Sequence, residues 1–406
     1  MDPREELVAE AKRCLDCKHK PCQAACPAHN RIPEFMSALK KDDFSAARAI
    51  WAETSNLPEL CGALCQQETM CEGACTLNKI KKPIRIGFVE AGVARLFSTE
   101  VNVPTAVNGR RHLVIGMGPA GLANAIAMAE TGCQVDAVDA NARIGGAIWN
   151  LVPSFRFDAD DLTAIEAKLA KLHVSIRLGF VVGRDVTLTE LIAAYDSIFI
   201  AHGLDSPQIV SGFSGENVFY AIDLLDRVRH TSADLKRLIG PKVVVVGLGS
   251  VAIDMARTLV KLGKNVTIAY RRTLAEAPAS PKEIAEAIAD GVQIVELANP
   301  TSFHDGSLHC ERTMLVRDDA SPRGRIVAIP DSDTEHEIDS LVFATGQVSS
   351  DALFQGTGIR LCPEVSLYAT NHPKVFVGGD RVIREKRIVD AMVSGMEAAA
   401  LILGGH

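Results

Sequence analysis

Eight cysteines lie between residues 14 and 75, in two groups. The first runs Cys14-x2-Cys17-x4-Cys22-x3-Cys26 and is followed by Pro27; the second runs Cys61-x3-Cys65-x5-Cys71-x3-Cys75. In a chain too long to need disulfide staples, such groups read as thiolate metal ligands. Two chemistries fit. One is a pair of iron–sulfur clusters, because the first group ends in the C-x3-C-P of bacterial ferredoxins, whose last cysteine serves the other cluster. The other is zinc, in two tetrahedral sites of four thiolates each. On the ferredoxin pattern Cys14, Cys17 and Cys22 hold one cluster. Cys26 crosses to the second, which Cys65, Cys71 and Cys75 complete. Cys61 is then spare and the first cluster is one ligand short, with the carboxylate of Glu90 a candidate for the place.

The supply of electrons is written downstream. From Arg111 the chain reads strand, glycine-rich turn, helix, strand. The fingerprint Gly116-x-Gly118-x-x-Gly121 encloses Pro119 and Ala120, and Asp139 ends the second strand 18 residues beyond the last glycine. The first glycine permits a tight turn, the second lets the backbone approach a pyrophosphate, and the third lets helix and strand pack closely. The helix N-terminus then offers free N–H groups to phosphate oxygens. The pattern recurs at 242–272 as Gly247-x-Gly249-x-x-Ala252, with Ser250 and Val251 opening the helix. Its second strand ends in Arg271-Arg272, where an arginine pair suits a 2′-phosphate that an acid would repel. The first turn therefore reads as an FAD site and the second as an NADPH site, with NADH possible. Two such fingerprints 131 residues apart, with opposite charge at the ribose position, are a far stronger signal than one. Cys133, Cys310 and Cys362 are isolated and read as buried small residues. No dithiol thus stands ready to accept electrons from a flavin, which favours iron–sulfur over zinc as their exit.

These residues need elements to position them. Residues 1–13 read as an amphipathic helix, 33–51 as a helical, charged stretch, and 84–96 as a helix with Glu90 near its middle. Residues 98–109 form a polar linker. A helix spans 159–172, and buried strands lie at 197–201, 341–346 and 375–380, the last two ending in or near glycine. A final helix covers 388–403. The expected organisation is a helical cluster-binding domain over 1–105, an FAD domain over 106–230 and 340–406, and an NAD(P)H domain over 231–339. The basic run 79–82 reads as a solvated loop, with partner docking as a second reading. His112 and His202 have no neighbour at ligand spacing and read as structural.

Composition narrows the class. The 406 residues are 47% hydrophobic and 23% charged, as in an ordinary globular protein. A net charge of −7 and 5% aromatics give no support for nucleic-acid or anionic-membrane binding. The N-terminus has no apolar signal region, and no apolar run approaches the roughly 18 residues of a membrane span, so a cytoplasmic location is expected. No Ser/His/Asp or paired-carboxylate set suggests a site for an organic substrate, which points to a partner subunit with its own active site.

The stretches CLDCKHKPCQAACP, CGALCQQETMCEGACTLNKIKKPIRIGFVEAG, VIGMGPAGLA, VVGLGSVAIDMARTL, AYRR, FATG and VGGD together resemble the family of NADPH glutamate synthase small subunits. That family includes the N-terminal half of dihydropyrimidine dehydrogenase and the flavin subunits of bifurcating transhydrogenases. The length makes the chain most similar to flavin subunits of two-subunit bacterial dihydropyrimidine dehydrogenases. The resemblance implies an α/β fold in which a helical iron–sulfur domain precedes two Rossmann-like domains, the FAD domain being interrupted by the NADPH domain. It implies two [4Fe–4S] clusters, with Glu90 at the one non-cysteine ligand position. It implies FAD at Gly116–Gly121, Asp139, Gly145, Gly146, Arg156, Gly379 and Asp380, and NADPH at Gly247, Gly249, Ser250, Val251, Arg271, Arg272, Ala344, Thr345 and Gly346. The activity implied is NAD(P)H oxidation through FAD and the clusters. The acceptor is a pyrimidine-reducing or glutamate-synthesising partner, itself FMN-containing, in a hetero-oligomer. A non-catalytic redox-sensing or zinc-stabilised dinucleotide-binding protein is the alternative from another class.

Overall fold

A computed structural model describes residues 2–97, 100–318 and 321–404. The chain divides into two compact units, one comprising Met1–Trp149, Ser154–Asp205 and Ser349–His406, the other Asn150–Pro153 and Ser206–Val348.

The first unit begins with helices. Pro3–Lys12 starts at Asp2, whose carboxylate accepts from Arg4 N, with Glu5 and Glu6 in its first turn and Lys12 in its last. Those charges match the helix dipole. The stretch 33–51 is not one helix but two, Ile32–Lys40 and Phe44–Ala52. The break follows from Asp42, at φ 61°, and from Asp43, whose side chain accepts from Ala46 N to start the second helix. Ile32, Phe35, Met36 and Leu39 recur on one buried face, and Phe35 lies 4.4 Å from Trp51 between ring centroids. Pro58–Leu64 and Ile86–Leu96 complete the set.

The rest of this unit is a parallel sheet in the order Val375–Val377, Ser197–Ile200, Arg111–Ile115, Gln134–Val138, Ser175–Arg177. Its edge strand Val375–Val377 arrives only after the whole second unit, so the first α/β fold is interrupted and then completed. Helix Pro119–Glu130 packs on the last helix, Ile388–Gly404, at Gly395, where an added Cβ would collide with the Ala120 carbonyl oxygen. Asn124 secures the crossing by donating to Gly395 O at 3.0 Å. His112, fully buried on the first strand, bonds Ser197 Oγ at 2.7 Å and Asn124 Oδ1 at 2.8 Å. Burial depresses its pKa to about 4, against those two hydrogen bonds. It is a structural histidine.

The second unit repeats the theme. Its parallel sheet runs Val218–Tyr220, Ser340–Phe343, Lys242–Val246, Asn265–Tyr270, Gln293–Glu296. It adds an antiparallel sheet of Ala298–His304, Ser307–Asp318, Ser321–Ala328 and Thr334–Glu337. This sheet is absent from the organisation expected from the sequence. Its last strand is exposed throughout, without apolar alternation. The turn Asp305-Gly306, both at positive φ between paired His304 and Ser307, is a hairpin signal that was there to read.

Candidate functional site

The first glycine turn is built for close approach. Gly116 sits at φ 95°, and a Cβ there would lie 2.5 Å from Ala201 O. A Cβ on Gly121 would overlap Gly116 O, so helix and strand meet with no room for a side chain. Gly118 is different: its Cβ position faces only Gly146 Cα, at 3.9 Å, leaving open space at the N-terminus of Pro119–Glu130. Asp139 closes the turn from the neighbouring strand. Its carboxylate accepts from Met117 N at 2.6 Å and Asn141 N at 2.7 Å, and burial pushes its pKa up. Gly145 N donates to Met117 O at 2.8 Å, which brings Gly145-Gly146 onto the same turn. Gly379 N donates to Ser394 Oγ at 2.9 Å, and a Cβ on Gly379 would touch Ala120 Cβ at 3.1 Å. Asp380, its carboxyl raised by burial, therefore stands at the same helix start. The fold thus brings together every residue of this set except Arg156, which is half-buried in the loop before Ala159–Lys171. An open backbone cradle at a helix start, with a buried carboxylate beside it, fits the pyrophosphate and ribose of FAD.

In the second unit Gly247 stands at φ 117° beneath Ala344 O, 2.5 Å from where its Cβ would be. Gly249 caps Ser250–Lys261, and its Cβ position meets only Pro278 Cβ at 4.0 Å. Thr345 and Gly346 are exposed at the end of Ser340–Phe343, with Val251 half-buried on the helix. Ser250 Oγ donates to Glu283 Oε2 at 3.2 Å. Glu283 also completes a capping box with Ser280. That Ser-x-x-Glu spacing is a helix-start signal visible in the sequence itself. The two arginines differ. Arg271 is exposed, whereas Arg272 is half-buried, donating to Gly324 O at 3.4 Å and 4.0 Å from Glu276. Of the two, only Arg271 is left exposed.

The cysteines sort differently from the expected partition. Cys14, Cys17, Cys22 and Cys75 line one pocket with apolar walls that include Ile32, Met36 and Ile86. Cys17 Sγ lies 3.2 Å from Thr76 Oγ1, and burial lifts the Cys22 thiol to about 11, with Cys14 and Cys75 adding to it. Cys26 and Cys71 are buried elsewhere, with Glu90 and Cys65 acting on both, and burial lifts Cys26 to about 11. Glu90 is buried, accepts from Trp51 Nε1 at 2.9 Å, and is held well above the carboxylate range by burial and then by Cys65. Cys75 therefore belongs with the first group and Glu90 beside the second, a correction in both places. The reason is the turn at 72–74. Cys75 ends it and starts the 3-10 helix Thr76–Ile80, which folds back against Cys17 while Cys71 stays inside. Each group lends its last cysteine to the other. Cys61, buried beside Cys65, points its thiol to Met392 Sδ at 3.8 Å.

Among the described residues no three His, Cys, Asp or Glu side chains close on a single ion. The first four thiols surround a space instead. Four thiols in one set, and three with a carboxylate in the other, fit iron–sulfur clusters, whose binding displaces the thiol protons. Cys133, Cys310 and Cys362 are free and buried.

Comparison with known proteins points to the same kinds of cofactor. Residues 2–101 match the family described as dihydropyrimidine dehydrogenase domain II, 4Fe–4S cluster, and residues 110–398 match pyridine nucleotide-disulphide oxidoreductases. The chain is 32% identical over 429 aligned positions to the glutamate synthase [NADPH] small chain of Halomonas elongata, covering 98% of this chain and 90% of that one. It is 30% identical to the NAD-dependent dihydropyrimidine dehydrogenase subunit PreT of Escherichia coli, covering 97% and 93%. In fold it is similar to Mycobacterium tuberculosis FprA in complex with NADPH, with a TM-score of 0.57 at 17% identity over 72% of this chain and 84% of that one. Its cofactors are accordingly FAD, a nicotinamide dinucleotide and [4Fe–4S] clusters. No described helix is long and apolar enough to cross a membrane. The chain is an NAD(P)H-dependent oxidoreductase that belongs to the flavin–iron-sulfur family of glutamate synthase small chains and dihydropyrimidine dehydrogenase flavin subunits.

Proposed function

We propose that this chain is the electron-input subunit of a hetero-oligomeric enzyme. It oxidises NADPH in preference to NADH and delivers the electrons to a partner subunit that carries its own active site. One observation carries the reading. Cys61, the spare thiol buried beside Cys65 of the inner set, packs on the last helix of the flavin-binding fold, where Met392 Sδ is 3.8 Å from Cys61 Sγ and accepts from Ser55 Oγ at 3.3 Å. The outer set is half-buried, with Leu15 and Leu77 also lining its pocket. Thiols thus run from the flavin fold to the surface.

The residues divide the work. The backbone from Gly116 to Gly121, with Gly145 and Gly146, cradles the FAD pyrophosphate at the helix start. Asp139 accepts from ribose hydroxyls, and Asp380 would stand beside the FAD at the same helix start. Gly247, Gly249, Ser250 and Val251 receive the dinucleotide, Ala344–Gly346 border it, and Arg271 holds the 2′-phosphate. Cys14, Cys17, Cys22 and Cys75 hold the outer cluster, and Cys26, Cys65, Cys71 and Glu90 the inner. When bound, FAD supplies two-electron exchange with the nicotinamide and the clusters supply one-electron transfer. The chain's own part is to bind, orient and exclude water.

The partner is a pyrimidine-reducing, FMN-containing catalytic subunit, a reading supported by the match to PreT over nearly its full length. A glutamate-synthesising partner is the second reading, favoured by the exposed Arg271. Co-purification with the native partner, followed by assays of NAD(P)H-dependent uracil reduction and of glutamate formation from glutamine and 2-oxoglutarate, distinguishes them. Neither activity from a complex that oxidises NAD(P)H would reject both partners.

A further inference from the structure

We infer that the rim of the outer cysteine pocket is a docking surface for an acidic redox protein, the partner that collects electrons there. The inference rests on the electron-input reading and adds the chemistry of what docks.

Two segments form the rim. Residues 12–20 and 76–85 hold eight basic residues against one acid, Asp16, in a chain whose net charge is −7. They make one surface. Cys17 Sγ contacts Thr76 Oγ1 at 3.2 Å, and Arg13 donates to Lys82 O at 2.7 Å and Pro83 O at 3.3 Å. Part of the charge is already paired. Lys40 neutralises Asp16 at 2.5 Å, Lys20 pairs with Glu34, Arg13 with Glu10, and Arg85 with Glu6 and Glu10. Lys12, Lys18, Lys79, Lys81 and Lys82 are exposed and enter no ion pair among the described residues. Solvated lysines alone would mean nothing. Here they flank in the chain the residues that line a pocket of four thiols, and two large apolar side chains stand among them. Leu15 is 57% exposed and lines the pocket, and Ile80 is 64% exposed.

An apolar patch inside a charged rim is the anatomy of a protein–protein interface. The rim steers and orients, and the apolar centre makes contact. With the rim positive and the rest of the chain acidic, the attracted face must be negative. A partner that is acidic around its own electron-entry site would approach this mouth and be repelled by the remaining surface.

The test uses the full holoenzyme and an acidic plant-type [2Fe–2S] ferredoxin as acceptor under NADPH. Menadione, a neutral acceptor, is the control. Ferredoxin reduction should fall at least about tenfold between about 20 and 300 mM KCl, the scale on which steering is screened. The triple variant Lys18→Glu, Lys79→Glu, Lys82→Glu should lose at least about tenfold at low salt. Menadione reduction and the EPR signals of the dithionite-reduced clusters should not change. Ferredoxin rates indifferent to both salt and charge reversal would overturn the docking surface while leaving electron input intact. So would basic cytochrome c reduced as fast as ferredoxin at low salt. Duplex DNA that abolishes ferredoxin reduction by binding the wild type but not the variant would reassign the patch to nucleic acid. A purified chain without cluster EPR signals would instead remove the electron-input reading, and this inference with it.

Discussion

The divided arginine pair makes a sharp prediction. Arg271 and Arg272 are adjacent at the end of Asn265–Tyr270, yet only Arg271 is exposed. Its backbone is fixed, because Arg271 O accepts from Thr313 Oγ1 at 2.9 Å, so the side chain leaves the strand end from a defined root. A hydrogen bond to a charged group contributes about 1.5–3 kcal/mol net, and an exposed one falls at the low end. At about 1.4 kcal/mol per decade, Arg271→Ala should raise KM for NADPH roughly 10- to 30-fold. KM for NADH, which lacks the phosphate, should move less than about twofold. Arg272→Ala should act otherwise. It removes a half-buried brace to Glu276 and Gly324, so it should lower Tm by a few degrees and affect both cofactors alike. Initial-rate kinetics with each nucleotide and a dye acceptor read both effects. Equal rises in the two KM values for Arg271→Ala would refute the 2′-phosphate role. A selective NADPH effect from Arg272→Ala would show that the roles are exchanged.

The cysteine sorting is checked by iron analysis and EPR. Cys75→Ala should cost the outer cluster and leave the inner, whereas Cys61→Ala should keep both; equal losses would mean that the sorting is mistaken. His112 makes stability pH-dependent. Its folded pKa, about 4, lies below the unfolded value of 6.5, so the unfolded chain gains the proton first and stability falls as pH drops from 6.5 towards 4. Between pH 7 and pH 5 this amounts to about 2 kcal/mol. His112→Gln should flatten that part of the urea-midpoint profile by a similar amount, and an unchanged slope would contradict it. Gly395→Ala should displace the helix crossing at the Ala120 carbonyl, costing about 1–3 kcal/mol and weakening FAD retention. A variant with normal Tm and flavin content would show that the crossing relaxes freely.

Much of this architecture was legible because the motifs are local. A glycine that must sit under Ala201 O or beneath Ala344 O leaves its mark at a fixed place between a strand and a helix, so both α/β folds are legible locally, whereas the interruption of the first by the second follows only from the family resemblance. Other features depend on what lies across space. Spacing does not say which side of the turn at 72–74 a thiol faces, so the ferredoxin pattern places Cys75 and Glu90 with other neighbours than the fold does. Charge at a strand end does not reveal that Arg272 turns inward to Glu276. The break at Asp42 and Asp43 was masked by apolar periodicity running through both flanking helices. The hairpin at Asp305-Gly306 shows the opposite failing: the signal was local, but polar strands such as Thr334–Glu337 gave it no company.

Anaerobic titration of the purified chain with NADPH, followed by visible and EPR spectroscopy, tests electron input most directly. Oxidised protein should show flavin bands over the broad absorption near 400 nm of about two [4Fe–4S] clusters. NADPH should bleach the flavin and bring up the signal of a reduced cluster. A colourless chain holding zinc in place of iron, or a flavin that NADPH reduces in full while the clusters stay oxidised at every potential the nucleotide reaches, would contradict it.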